Sequence, residues 1–196
     1  MPPDGRVRGR NESRVMARSI EPTGVERHFG RDEIIVSKTD PRGRITYANQ
    51  VFLRVAGYGE REVLGEPHSI VRHPDMPRCV FKLLWDTIEG GREIFAYVKN
   101  MAKSGDHYWV FAHVTPTFDP VTRAIVSYHS SRRVPSRRAV DAAAGVYALL
   151  LAEEARHTDR RAGLAASLEL LKQTLEGAGM EYERFVWTLD PAVAQA

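Results

Sequence analysis

A chain of 196 residues holds one domain of about 100 to 150 residues plus an appendage, and excludes two large domains. With hydrophobic residues at 43% and charged residues at 27%, wholesale disorder is excluded and a real core is expected. The formal charge of +3 resides mainly in Arg6, Arg8, Arg10, Arg14 and Arg18 and in Arg132, Arg133, Arg137 and Arg138, which flank the apolar segments as solvated linkers, and the single Cys79 excludes a disulfide framework or a thiolate metal cluster.

Residues 1 to 28 carry Pro, Gly and Arg without sustained periodicity and read as a flexible basic leader whose order depends on docking. Ile34, Ile35 and Val36 form a short strand, Asp40-Pro41-Arg42-Gly43 a turn, and Ile45 to Ala48 the second strand of a tight hairpin. Phe52, Val55 and Ala56 fall at helical spacing before Gly57, and Glu60 to Leu64 ends at Gly65, which predicts two short helices. Val80, Phe81, Leu84, Trp85 and Ile88 make one apolar stripe, so a helix is expected from Arg78 to Glu89, closed by Gly90-Gly91. Strands from Ile94 to Lys103, His107 to Phe118 and Ala124 to Arg132 follow, joined by segments rich in turn formers that favour sequential antiparallel pairing.

From Ser136 the chain turns helical. Val140, Ala143, Tyr147, Leu150 and Leu151 form one stripe; after a break at His157 to Asp159, Leu164, Leu168, Leu171 and Leu175 form another. Glu181 to Leu189, with Tyr182, Phe185 and Trp187, reads as a terminal element that docks on an apolar surface. The expected organisation is a leader over 1–28, a central domain over 29–134 and a C-terminal helical extension over 135–196. Its class is α+β, with a five-stranded antiparallel sheet carrying short helices on one face. In the strand from His107, Tyr108, Val110, Ala112 and Val114 alternate with Trp109, Phe111 and His113. Both faces are therefore apolar, and the outer one needs cover from the tail helices, in cis as a hairpin or in trans in a dimer.

The stretch from Ile34 to Arg133 resembles the PAS domain of bacterial aerotaxis (energy-taxis) transducers. The likeness lies in Asp40 to Asn49, Gly65-Glu66-Pro67-His68, Arg72-His73-Pro74-Asp75-Met76-Pro77, Lys99-Asn100 and Gly105-Asp106-His107-Tyr108-Trp109-Val110, all in order. It implies a PAS fold that holds FAD without covalent attachment, with FMN or haem as lesser alternatives, and a redox state that reports electron transport or oxygen. Arg72, His73 and Asp75 match the family's cofactor-determining motif, Trp85 its helix aromatic, and Asn100 the strand amide facing the flavin's polar edge; Asn49, which closes the first matching stretch, joins them as cofactor-binding. Flavin-binding regulators of nitrogen fixation look similar around Trp85 and Asn100. The transducers continue into a membrane anchor and a methyl-accepting rod, neither of which is expected to fit in residues 136 to 196, so a different output, or one borrowed from a partner, is implied. Light-sensing relatives place a cysteine beside the flavin, but here Arg72, His73 and Asp75 occupy that stretch and Cys79 lies a turn or more away, so no photochemical adduct is expected.

Read from the residues alone, each position keeps a second role. Asn100 shares a strand face with Ile94, Ala96 and Val98 and must find a partner there, a cofactor or a cross-strand hydrogen bond, because burial unpaired costs about 1–3 kcal/mol. Asp75 either meets the cofactor or caps the helix after Pro77. Arg72 makes a surface ion pair or supports an anionic flavin or its phosphates. His73 tunes protonation of a reduced ring. Trp85 serves core or cofactor. His68 or His73 is the axial ligand in the haem alternative. The histidines lack metal-site spacing, and no nucleophile elbow, phosphate loop or paired-histidine zinc motif occurs, so neither an enzyme nor a metal site is expected. With no apolar run of about 18 residues, and no basic face interleaved with aromatics, the expected setting is the cytoplasm without membrane or nucleic acid. The expected partners are a second copy of the chain and a signalling protein such as a chemoreceptor, kinase or regulator, reached through the C-terminal helices.

Overall fold

Asp40 builds the first turn: its Oδ1 accepts from the backbone N–H of Arg42 (2.9 Å) and of Arg44 (2.8 Å), while Gly43 takes φ +76°. This turn joins β1 (Ile35–Thr39) to β2 (Ile45–Ala48). β1 runs on to Thr39, beyond the apolar triplet, because Ser37 and Thr39 pair with Ser130 and Tyr128 of β5 (Ile125–Arg133). With β3 (Ile94–Met101) and β4 (His107–Phe118) the strands form one antiparallel sheet in the order β2-β1-β5-β4-β3. The computed structural model describes residues 20–190, so the expected leader falls partly outside the described residues. Within residues 20–28, Thr23 N–H donates to Gly105 O at 3.0 Å and Arg27 Nε to Asp106 at 3.0 Å, laying this segment along the β3–β4 turn.

The connection between β2 and β3 carries α1 (Gln50–Ala56), α2 (Glu60–Val63), a 3-10 turn (His68–Val71) and α3 (Arg78–Glu89). Asn49 caps α1, accepting from Phe52 N–H at 2.9 Å. The same Oδ1 accepts from Val36 N–H and Nδ2 donates to Ile34 O, so one amide clamps β1 to the helix. These helices cover the sheet face that carries Ala96, Val98, Val110 and Ala112.

The tail folds back in cis. α4 (Arg137–Ala155) crosses β3, where Tyr147 OH donates to Tyr97 O at 2.7 Å and its ring stacks on Trp109. α5 (Arg160–Gly177) returns along α4 but packs against α3 instead of the sheet. The cover over Phe111 comes from α6 (Tyr182–Thr188), whose Trp187 lies 5.4 Å from the Phe111 ring centroid and 4.7 Å from that of Phe95. The two long helices therefore do not share the outer face, and the aromatic terminal element covers its Phe95 and Phe111.

α3 begins after Pro77, which offers no capping side chain. Glu154 of α4, buried at 7% exposure, does that work: Oε1 accepts from Arg78 N–H at 2.7 Å, Cys79 N–H at 3.2 Å and Ser167 Oγ at 3.1 Å, and Oε2 from Arg78 Nε at 2.6 Å. Asp75 does not cap α3; it pairs with Lys99 Nζ at 2.6 Å.

Candidate functional site

Between the inner sheet face and the helical connection lies a cavity of about 540 Å³, within the range of about 300–1,000 Å³ typical of small-molecule sites. Strand alternation supplies its floor: Val98 and Asn100 from β3, Ala112 and Val114 from β4, Tyr128, Ser130 and Arg132 from β5, Ser37 and Thr39 from β1. α3 supplies Phe81, Leu84, Trp85 and Ile88 along its stripe. Trp85 leans on Tyr128 edge to face at 5.6 Å and lies over Gly43, where an added Cβ would sit 2.8 Å from the indole.

Of the residues singled out from the sequence, Arg72, Trp85 and Asn100 come together on this wall. Arg72 and Asn100 are bridged through their backbones, and the Arg72 guanidinium lies 4.1 Å from the centre of the Phe81 ring. The Asn100 side-chain amide has no hydrogen-bond partner among the described residues, although the residue is 5% exposed. The other three lie away from the wall. Asn49 is engaged on both sides of its amide between β1 and α1. His73 is buried against His107, and its Nδ1 accepts from Asp75 N–H at 3.0 Å; desolvation pushes its pKa down to about 4. The Asp75 carboxylate is solvent-exposed beside Lys99. Cys79, a buried thiol whose pKa burial raises, also lies off the cavity.

Arg132 is not singled out by the sequence, and His68, expected there only as a haem ligand, proves to be its partner. The sequence places Arg132 among solvated linker arginines, yet it is 5% exposed, because Tyr128, Ser130 and Arg132 occupy the inward positions of β5. Extending the period-two alternation through this polar stretch would have found it. Arg132 Nη2 donates to Ser37 Oγ at 2.9 Å and to His68 Nε2 at 2.7 Å. A guanidinium cannot accept, so Nε2 is the acceptor and the neutral imidazole carries its proton on Nδ1. Desolvation and then the Arg132 charge push the His68 pKa down to about 3, and burial pushes that of Arg132 down to about 10. Arg132 Nη1, Ser130 Oγ and Thr39 Oγ1 are buried without hydrogen-bond partners.

A sheet of this order with the helical connection over its inner face is a PAS fold, and residues 45–126 match the family model for the PAS fold. Within that class the chain is similar to the aerotaxis receptor of Escherichia coli, with 46% identity over 85 residues, covering 43% of this chain and 17% of the receptor. It is also similar to the nitrogen fixation regulatory protein of Klebsiella pneumoniae, with 30% identity over 87 residues, covering 44% and 18%. The structure of the blue-light photoreceptor Aureochrome1 LOV in its dark state shares the fold, with a TM-score of 0.51 at 24% identity over 59% of this chain and 85% of that one. The chain thus has a PAS fold and is similar over this region to part of the aerotaxis receptor, and it spans less than a fifth of these two curated relatives. Among the described residues no helix is long and apolar enough to cross a membrane, and no group of acidic, histidine or cysteine side chains is arranged to hold a metal ion.

Proposed function

We propose that this domain is a cytoplasmic redox or energy sensor that holds a flavin, FAD by its likeness to the energy-taxis transducers, and signals to a protein partner through α4, α5 and α6 as a homodimer. The observation that carries this reading is the cavity wall: apolar side chains interrupted by Asn100, Thr39, Ser130 and Arg132, each with polar atoms lacking a protein partner. Unpaired buried polar groups are costly, about 1–3 kcal/mol each, and here they converge on one space. An isoalloxazine ring, apolar in body with donors and acceptors along one side, fits that set. Asn100 would offer both a donor and an acceptor to such a side, Trp85 and Phe81 would supply apolar contact to its body, and Arg72 at the rim suits its phosphates. A bound flavin supplies a reversible redox change. Haem is less well served, because His68 Nε2 is held by Arg132 and His73 lies off the cavity.

The route outward runs through Asn100 and β3 to Tyr97, whose carbonyl holds Tyr147 of α4. Absorbance of freshly purified protein, and of protein incubated with excess FAD, FMN and haem, tests the reading. Flavin bands are expected; a folded protein that retains none of the three leaves only a cofactor-free interaction module. An Asn100→Ala protein that keeps flavin and unchanged redox-dependent hydrogen exchange in α4 refutes the route.

A further inference from the structure

Five cationic side chains line the cavity, those of Arg42, Arg72, Arg78, Lys82 and Arg132, and no carboxylate does. Arg78 is committed to Glu154 and Lys82 to Asp86, while Arg42 and Arg72 reach solvent. Arg132 differs from all of these. It is buried on the floor, its Nη2 neighbours are the neutral Ser37 and His68, and Nη1 has no partner. A guanidinium remains charged at neutral pH even with its pKa lowered to about 10. Burying such a charge without a counter-ion is destabilising, and a pocket that does so favours an anion.

We propose that Arg132 is the anion-holding residue of this cavity, its free Nη1 receiving the negative charge of the ligand, so that the domain binds a reduced, anionic flavin more tightly than the oxidised, neutral one. This rests on the flavin reading above. Reduction to the anionic form takes two electrons and one proton, supplied in the test by dithionite and water. Since the oxidised ring carries no charge for Arg132 to meet, the preference between the two states is the quantity this residue controls. It raises the midpoint potential and makes the bound state responsive to mild reductants. Ser130 and Thr39, both unpaired on the same floor, add neutral donors that do not distinguish the two states to the same degree.

The test compares wild type, R132Q and R132K, each reconstituted with FAD, by spectroelectrochemical titration at pH 7 and by thermal melting of the flavin-free proteins. R132Q is expected to lose at least tenfold in the ratio of reduced to oxidised affinity, which lowers the midpoint potential by about 30 mV for a two-electron couple, and R132K to recover most of it. Flavin-free R132Q is expected to melt no lower than wild type, since it sheds an uncompensated charge. A shift below threefold overturns the role of Arg132, as does R132K behaving like R132Q, or flavin-free R132Q melting clearly below wild type. If R132Q loses flavin altogether, retention by R132K supports the role and loss from both overturns it. Wild type that takes up neither FAD nor FMN overturns the flavin reading itself, before any variant is compared.

Discussion

Replacing Glu154 with Ala is expected to loosen the tail from the sensor domain. The carboxylate serves the first N–H groups of α3, the Ser167 hydroxyl and the Arg78 guanidinium at once. Loss of a helix cap costs about 1 kcal/mol, and breaking a buried charge pair by removing one partner costs about 3–5 kcal/mol. Arg78 is 24% exposed and can regain water, so the lower end of that range applies. Together these give about 3–4 kcal/mol for Glu154→Ala. Glu154→Gln keeps an acceptor for the cap and loses the charge, so about half of that is expected. In a chain of this size 3 kcal/mol lowers the melting temperature by about 6–12 °C. Urea unfolding measures the free energy, and hydrogen exchange shows whether α5 opens ahead of β4. A Glu154→Ala cost under about 1 kcal/mol, or unchanged exchange in α5, would refute the capping account.

Asn49→Ala removes a cap and both ties to β1, and is expected to cost about 2–3 kcal/mol in urea unfolding while leaving flavin loading per folded molecule intact; a protein of normal stability that loses flavin would contradict the clamp role. His68 and His73 have pKa values pushed down to about 3 and about 4 from 6.5, so the unfolded chain binds protons that the folded one does not. Stability is therefore full above pH 6.5 and falls as pH drops below it, by up to about 1.4 kcal/mol per pH unit for each histidine until its folded pKa is reached. Unfolding free energies equal at pH 7.5 and pH 5 would contradict this. Cys79 lies off the cavity, so blue illumination of the flavin-loaded protein is expected to leave its absorbance without a thiol-dependent change, and Cys79→Ala to behave identically.

The sheet and helices were legible because their signals are local. The Asp40-Pro41-Arg42-Gly43 turn, the α3 stripe and the Gly-terminated short helices each state their own geometry within a few residues. Trp85, Asn100 and Arg72 were legible through the motifs they belong to. Glu154 was not, since its partners at Arg78 and Cys79 are about 75 positions away and nothing in a helical Glu-Glu pair marks one as buried. Arg132 was hidden for the opposite reason: Ser130-Ser131-Arg132-Arg133 has the composition of a surface segment, and only its register with Ala112 and Ile35 turns one arginine inward. Asn49, His73 and Asp75 carry the family motif but sit in the frame around the cavity. Sequence similarity does not separate a frame residue from a wall residue.

β3 is the last strand of the sheet, and its outward backbone groups are masked one after another: Asn100 by Arg72, Lys99 N–H by Met76 Sδ at 3.2 Å, and Tyr97 O by Tyr147. Only the Tyr97 guard belongs to the movable tail. Swinging α4 aside would bare the Tyr97 carbonyl beside the Phe95 and Phe111 rings, an opening in the border at which an extended segment from another molecule can begin to pair. Detachment of the tail thus trades an intramolecular latch for an acceptor open to water or to a donor from another chain.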